Sequence, residues 1–478
     1  MLILIAAIYI ILLATIIFLN KERKFSKIFL VLFITWWCGL LAITTLEDNL
    51  YPMSFKAYSY LLILIVMFVL GYNFIMKFSE IKNVCLRLFG KKINYTKTIS
   101  VDLERNEIGG KSKFDLSNYE SGIMVWIVGL IIFTILLYYK VRYDELLVVI
   151  GSHYNRMIKF ELGLLFVSPL ENIFYIYVIE TIINVFAVLL PIHIMNKKFK
   201  NPTIYISIAL LYLSYAIGQG RLIIFETMFY FVITFIVFNY EQILDILKKK
   251  YILICSVLVI FISLLFVMSL VRYNTDFTDI KSIITNSKMT INHIFMYFTG
   301  PFRAFDYALS NNYREVIVSN YGNTYGLATI CGFDEVVKNA INFVGIDVPV
   351  LNRLMGELTQ QYIQIGPDTS MNAFFTVGLN YYIDFGLAGI IGLSFAYGST
   401  IAFIVKKTLK SRNAYMVMFM ILNLYYAFFS SVRWYYQHGA TWMTFFIILF
   451  VALVHRGTVN STAYDNLKRK MRIGGKKR

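Results

Sequence analysis

The sequence predicts an all-α polytopic membrane protein, with about eleven transmembrane helices and a large folded, mainly helical extracytoplasmic loop. Three observations predict it. Apolar residues make up 58% of the 478-residue chain and charged residues 15%, and the mean hydropathy is +0.64. Runs of about 20 apolar residues, the length a helix needs to cross a hydrocarbon core, recur along the chain. One polar, aromatic-rich stretch, Val271 to Met371, interrupts them. That stretch is far longer than an ordinary connection. Its content of Tyr, Phe, Leu and Ile is not that of a disordered segment, so it reads as a folded cap.

Spans are expected at 2–20, 27–45, 57–77, 121–139, 172–195, 203–219, 222–240, 251–271, 384–405, 414–432 and 439–455. The first run has no basic segment before it and is followed by Lys21-Glu22-Arg23-Lys24, which points to an uncleaved first helix running inward. With that orientation, inner segments carry 31 of the 45 Lys and Arg residues, and the net charge is +21 inside and −4 elsewhere. The basic excess is then a positive-inside bias, and the pI near 9.4 requires no nucleic-acid partner. Cys38, Cys85, Cys255 and Cys331 are scattered, without the spacing of a disulfide framework or a zinc site.

The expected organisation is a first membrane part at 1–271 with about eight helices and an extracytoplasmic loop domain at 272–372. A second membrane part at 373–456 has about three helices, and a basic tail at 457–478 rests on anionic lipid. The segment from Phe78 to Ser121 reads as a charged cytoplasmic loop, and Lys140 to Glu171 as an outer loop with an interfacial amphipathic helix.

The cytoplasmic side offers little chemistry. Its longest loop, 78–121, is too short for a nucleotide-sugar-binding domain. It holds neither a phosphate-binding Gly-rich loop nor an Asp-x-Asp pair. Any substrate arrives through the membrane or from outside, and no cofactor or metal is expected. On the outer side, arginines stand at helix ends: Arg221 after Gly218-Gln219-Gly220, Arg272 where the long loop begins, Arg303 after Gly300-Pro301-Phe302, and Arg433 after Ser430-Ser431-Val432. A guanidinium binds phosphate oxygens through a fork of donors and stays charged, so converging arginines suit a lipid diphosphate. A helix-end arginine also snorkels to the interface without any further role.

Acids in or near spans, Glu180, Glu226 and Asp384, are expensive there and face polar interiors. Glu180 lies one turn from Asn184 and suits interhelical bonding. Asp384 and His438, the latter five residues after Arg433, are the candidate proton acceptors. Tyrosines crowd the loop and its borders, among them Tyr325 and Tyr381, and aromatic faces stack on sugar rings; an interfacial aromatic belt gives the same enrichment.

Three segments carry a resemblance: Gly218-Gln219-Gly220-Arg221 before the long loop, Tyr325-Gly326 followed by Ser370-Met371-Asn372-Ala373 at its end, and Tyr381-Tyr382-Ile383-Asp384-Phe385-Gly386-Leu387-Ala388-Gly389. With the topology, they resemble the Wzy-type polymerases of bacterial O-antigen and capsular repeat units, relatives of the O-antigen ligases. The resemblance implies a metal-independent glycosyltransferase at the outer face of the bacterial inner or plasma membrane. Its donor and acceptor would both be undecaprenyl-diphosphate-linked oligosaccharides, with a flippase and a chain-length regulator as expected protein partners. From the residues themselves, the catalytic candidates are Arg221, Arg272, Asp384 and His438, and the substrate-binding candidates are Arg303, Arg433, Tyr325, Asn372 and Tyr381. An O-antigen-ligase-like transferase and a flippase for the same lipid-linked glycans are the alternatives.

Overall fold

In the computed structural model, the described residues are 1–88, 122–150, 164–243, 278–411 and 413–452, with scattered positions between 244 and 270. Positions 22, 48, 49, 197, 198, 218–221, 368, 372 and 373 are not described. Arg221, Arg272, Asn372, most of the expected 251–271 span, most of the 78–121 loop and the 457–478 tail therefore lie outside the described residues.

The protein is a membrane-embedded helical protein. Among the described residues, seven helices are long and apolar enough to cross a membrane: α1 (Leu2–Leu19), α2 (Lys24–Leu46), α3 (Phe55–Leu88, its apolar part ending at Phe78), α4 (Ile123–Ile150), α5 (Pro169–Met195), α7 (Leu222–Asn239) and α13 (Leu387–Ser411). Three shorter apolar helices join them: α6 (Pro202–Ala216), α14 (Ala414–Phe429) and α15 (Gly439–Ala452). Between 278 and 371 the chain forms α8 (Ile280–Ser310), α9 (Tyr313–Tyr321), α10 (Cys331–Phe343) and α11 (Leu351–Thr359). It closes on a two-stranded antiparallel hairpin, β1 (Ile363–Gly366) with β2 (Thr369–Met371), which pairs Ile363 with Met371. Helix α12 (Val377–Phe385) then leads into α13.

Contacts divide the chain into two compact units that do not follow sequence order. The larger comprises 1–114, 231–404 and 424–439. Within it, α2 and α3 pack through Phe33 and Phe68, whose rings stack with centroids 4.1 Å apart. Helices α3 and α13 come closer still. A Cβ added at Gly71 would lie 2.0 Å from the Phe395 carbonyl oxygen, and one at Gly398 would lie 2.0 Å from that of Phe68. Small residues let two backbones touch, the packing available where lipid removes the hydrophobic drive between helices. Asn20 of the α1 end donates to Asn73 at 2.7 Å, satisfying a buried amide across helices.

The second unit comprises 115–230, 405–423 and 440–478. Helices α4, α5 and α6 enclose Leu136, Tyr139, Tyr175, Ile179, Phe186 and Leu210. Helix α5 begins where Ser168 accepts the Glu171 N–H and Pro169 fills the first turn, a standard helix start. A π-helical turn at Tyr175–Glu180 interrupts it. The Lys140–Ile150 part of the expected outer loop continues α4 as one helix, and positions 151–163 lie outside the described residues.

Candidate functional site

Three segments of the larger unit meet where α14 ends: the turn between α9 and α10, helix α12, and the 430–438 loop. Gly322, at φ +92°, stops α9, and the chain then makes the turn Thr324-Tyr325-Gly326. Asp384 organises this turn. Its Oδ1 accepts the Thr324 hydroxyl at 2.6 Å and the Gly326 and Ala328 amides at 3.0 Å each. Its Oδ2 accepts the Thr329 amide at 2.8 Å and the Thr329 hydroxyl at 2.6 Å. Five donors satisfy both oxygens of a buried carboxylate, so Asp384 fastens the turn and has little capacity left to accept a substrate proton. Asn380, one helical turn earlier, donates to the Ala328 carbonyl at 2.7 Å. The local sequence explains the placement: Gly386, at φ +62°, ends α12, and Gly389 lies against the Tyr381 carbonyl, so α13 starts tightly behind Asp384.

The clamped turn displays Tyr325, which is 74% exposed and holds φ at +47°. A non-glycine residue in the left-handed region is strained, and such strain persists where surroundings over-determine it. Trp434 adds to that restraint by donating its indole N–H to the Thr329 carbonyl at 2.6 Å.

Arg433 and His438 form the polar centre. The Nε–H of Arg433 donates to Nε2 of His438 at 2.8 Å, which leaves the ring proton on Nδ1. The guanidinium lies 5.9 Å from the Phe374 ring centroid and 5.8 Å from that of Tyr435. Among the described residues no carboxylate pairs with Arg433, so its two terminal nitrogens keep their donors. Burial, and then the neighbouring Arg433 charge, push the His438 pKa well below its ordinary value. His438 is therefore a neutral acceptor that orients Arg433, and accepting a proton at Nε2 would break that bond. Stacked rings fix the loop, Trp434 on Tyr436 at 4.7 Å and Tyr426 on Tyr435 at 4.6 Å. Helix α10 braces it from the other side: a Cβ at Gly332 would meet the His438 backbone at 2.5 Å, and Glu335 accepts the Gly439 amide at 3.2 Å.

The remaining expected residues fall elsewhere. Arg303 is buried and its donors are committed: Nε to the Tyr51 carbonyl at 2.9 Å, Nη2 to the Thr44 and Glu47 carbonyls at 2.8 and 3.2 Å, and Nη1 to the Glu47 carboxylate at 3.2 Å. It caps the last turn of α2 from α8, and burial lowers its pKa against the pull of Glu47. That geometry is a fastening, not an open phosphate site. Tyr381 is also enclosed, its ring edge 5.7 Å from Trp434 and its pKa raised by burial, so it packs beneath the site and presents no face to a sugar. Of the described candidates, Arg433, His438, Tyr325 and Asp384 belong to one bonded framework. Asn380, Thr329, Trp434 and Glu335, which sequence reasoning did not single out, complete it. Among the described residues, no group of three or more His, Cys, Asp or Glu side chains converges.

No family model, curated protein or solved structure matches the chain.

Proposed function

We propose that the chain is a polymerase that joins undecaprenyl-diphosphate-linked oligosaccharide units at the outer face of a bacterial inner or plasma membrane. The observation that carries this reading is Arg433, held at Nε by His438 with both terminal nitrogens still able to donate. The basic cluster of Lys406, Lys407 and Lys410 in the last turns of α13 and Arg412 just beyond it supports an inner location for the start of α14 and hence an outer one for Arg433 past its end.

In the reaction an acceptor hydroxyl oxygen attacks the anomeric carbon of the donor glycan. The bond from that carbon to the diphosphate oxygen breaks, its electron pair stays on the lipid diphosphate, and the proton of the acceptor hydroxyl passes to the released diphosphate, so the step balances without a protein base. Negative charge grows on the phosphate oxygens as the bond breaks, so a fixed guanidinium stabilises the transition state more than the bound donor. His438 serves as a positioning residue. Asp384 holds the turn that displays Tyr325, whose aromatic face suits a sugar ring. Arg221 and Arg272 remain the further phosphate-binding candidates. Membrane lipid, a flippase and a chain-length regulator are the expected partners.

Deleting the gene tests the reading. Accumulation of single-unit glycans on the lipid carrier at the outer face supports a polymerase. Accumulation at the inner face instead makes the protein a flippase, and single units transferred normally into long chains would sink the proposal.

A further inference from the structure

From 280 to 297, helix α8 is inverted with respect to a helix in water. Ile280, Ile284, Ile291 and Phe295 recur at spacings of four, seven and four, which at 3.6 residues per turn makes one stripe within about 60°. These side chains are 73, 53, 46 and 47% exposed. The opposite face is polar and turns into the protein: Thr290 is 1% exposed, and Ser282, Asn286 and His293 are half-buried, each with an interaction partner. Water would favour the reverse arrangement, whereas a lipid surface favours this one. Exposed Lys281 and Lys288 border the stripe on one side, the arrangement of an interfacial helix beside phosphate headgroups.

The depth of α8 is fixed by one indole. The Phe298 ring meets Trp36 edge-on at 5.6 Å, and the Trp36 N–H donates to the Phe428 carbonyl at 3.1 Å and the Ser431 hydroxyl at 3.0 Å. Helix α8 thus passes at the level where α14 ends its apolar run, and tryptophan with a polar tip suits that boundary. At the same place Tyr297 packs its ring against Phe374 at 5.3 Å, and Phe374 lies beside Arg433.

We propose that the first half of α8 lies in the membrane–water interface, its isoleucine stripe among the acyl chains of the bilayer and Lys281 and Lys288 at the phosphates. The segment 280–297 then belongs to the membrane and not to an aqueous cap. It also makes the α8 side of Arg433 the side from which a lipid-borne molecule diffusing in the bilayer reaches the guanidinium. The inference concerns the bilayer lipid itself and stands whichever reaction the site performs.

The test uses the full-length protein in nanodiscs of phosphatidylcholine and phosphatidylglycerol, with Cys85 and Cys255 replaced by serine. A polarity-sensitive fluorophore is attached at Ile284→Cys or Ile291→Cys, and at the polar rim positions Thr285→Cys or Asn292→Cys. Blue-shifted emission at 284 and 291, quenched by spin-labelled acyl chains and shielded from aqueous iodide, with iodide quenching at 285 and 292, is the expected result. Iodide quenching at all four positions overturns the proposal. So does shielding of 284 and 291 from both quenchers, which would mean that protein, such as a second copy of the chain, covers the stripe.

Discussion

Trp434 donates its indole N–H to the carbonyl of Thr329 at 2.6 Å, and this bond joins two loops that are a hundred residues apart in sequence. One loop displays Tyr325 and the other carries Arg433. With the five donors on Asp384, it makes the candidate site one framework instead of a set of independent helix-end charges.

Asp384→Asn replaces an all-acceptor group with one that must point an amide at N–H donors. The expected effect is a loss of folding stability of about 3 kcal/mol, seen as a lower unfolding temperature in detergent. Full stability with complete loss of activity would instead mark Asp384 as a base.

Arg303→Met leaves Glu47 without its partner and the α2 carbonyls uncapped, at a cost of about 3 kcal/mol or more. Arg303→Met with Glu47→Gln should recover part of that loss, because the half-buried, unpaired Glu47 carboxylate is removed as well. Thermal unfolding of the single and double variants decides this, and equal stability of wild type and Arg303→Met would contradict the fastening role.

Tyr325→Gly relieves a positive φ and is expected to stabilise the fold by up to about 1 kcal/mol while lowering polymer length. Polymer of normal length from this variant would remove Tyr325 from the site.

The depressed pKa of His438 has a definite sign. Its folded value lies below the ordinary 6.5, so the unfolded chain binds the proton first as pH falls. The stability linked to the neutral ring is present above pH 6.5 and is lost progressively as pH drops from there toward the folded value. Unfolding temperatures between neutral and acid pH should fall less steeply for His438→Gln than for wild type. Parallel slopes would show that the ring is not buried beside Arg433.

The spans were legible because an apolar run of membrane length admits few alternatives. Among the described residues, seven of the expected spans fall on helices long and apolar enough to cross a membrane and three on shorter apolar helices, and the 251–271 span lies largely outside the described residues. The site was less legible. An arginine expected at a helix end looks the same in sequence whether it lies within a helix and caps a neighbour, as Arg303 does inside α8, or stands past a helix end with its fork open, as Arg433 does. Which carbonyls lie within reach depends on helix packing. The Asp384 clamp was hidden for the same reason: its donors come from Thr324 to Thr329, and no local pattern links them to α12. The glycines at 386 and 389 were the visible trace of that close packing.

The most direct test of the account is the affinity of the purified protein, in nanodiscs, for an undecaprenyl diphosphate that carries no sugar. The wild type should bind it more tightly than the monophosphate, and Arg433→Ala should lose roughly tenfold or more, with Arg433→Lys recovering little because an ammonium lacks the fork. Unchanged diphosphate affinity in a well-folded Arg433→Ala protein would contradict the claim that this guanidinium receives the lipid diphosphate.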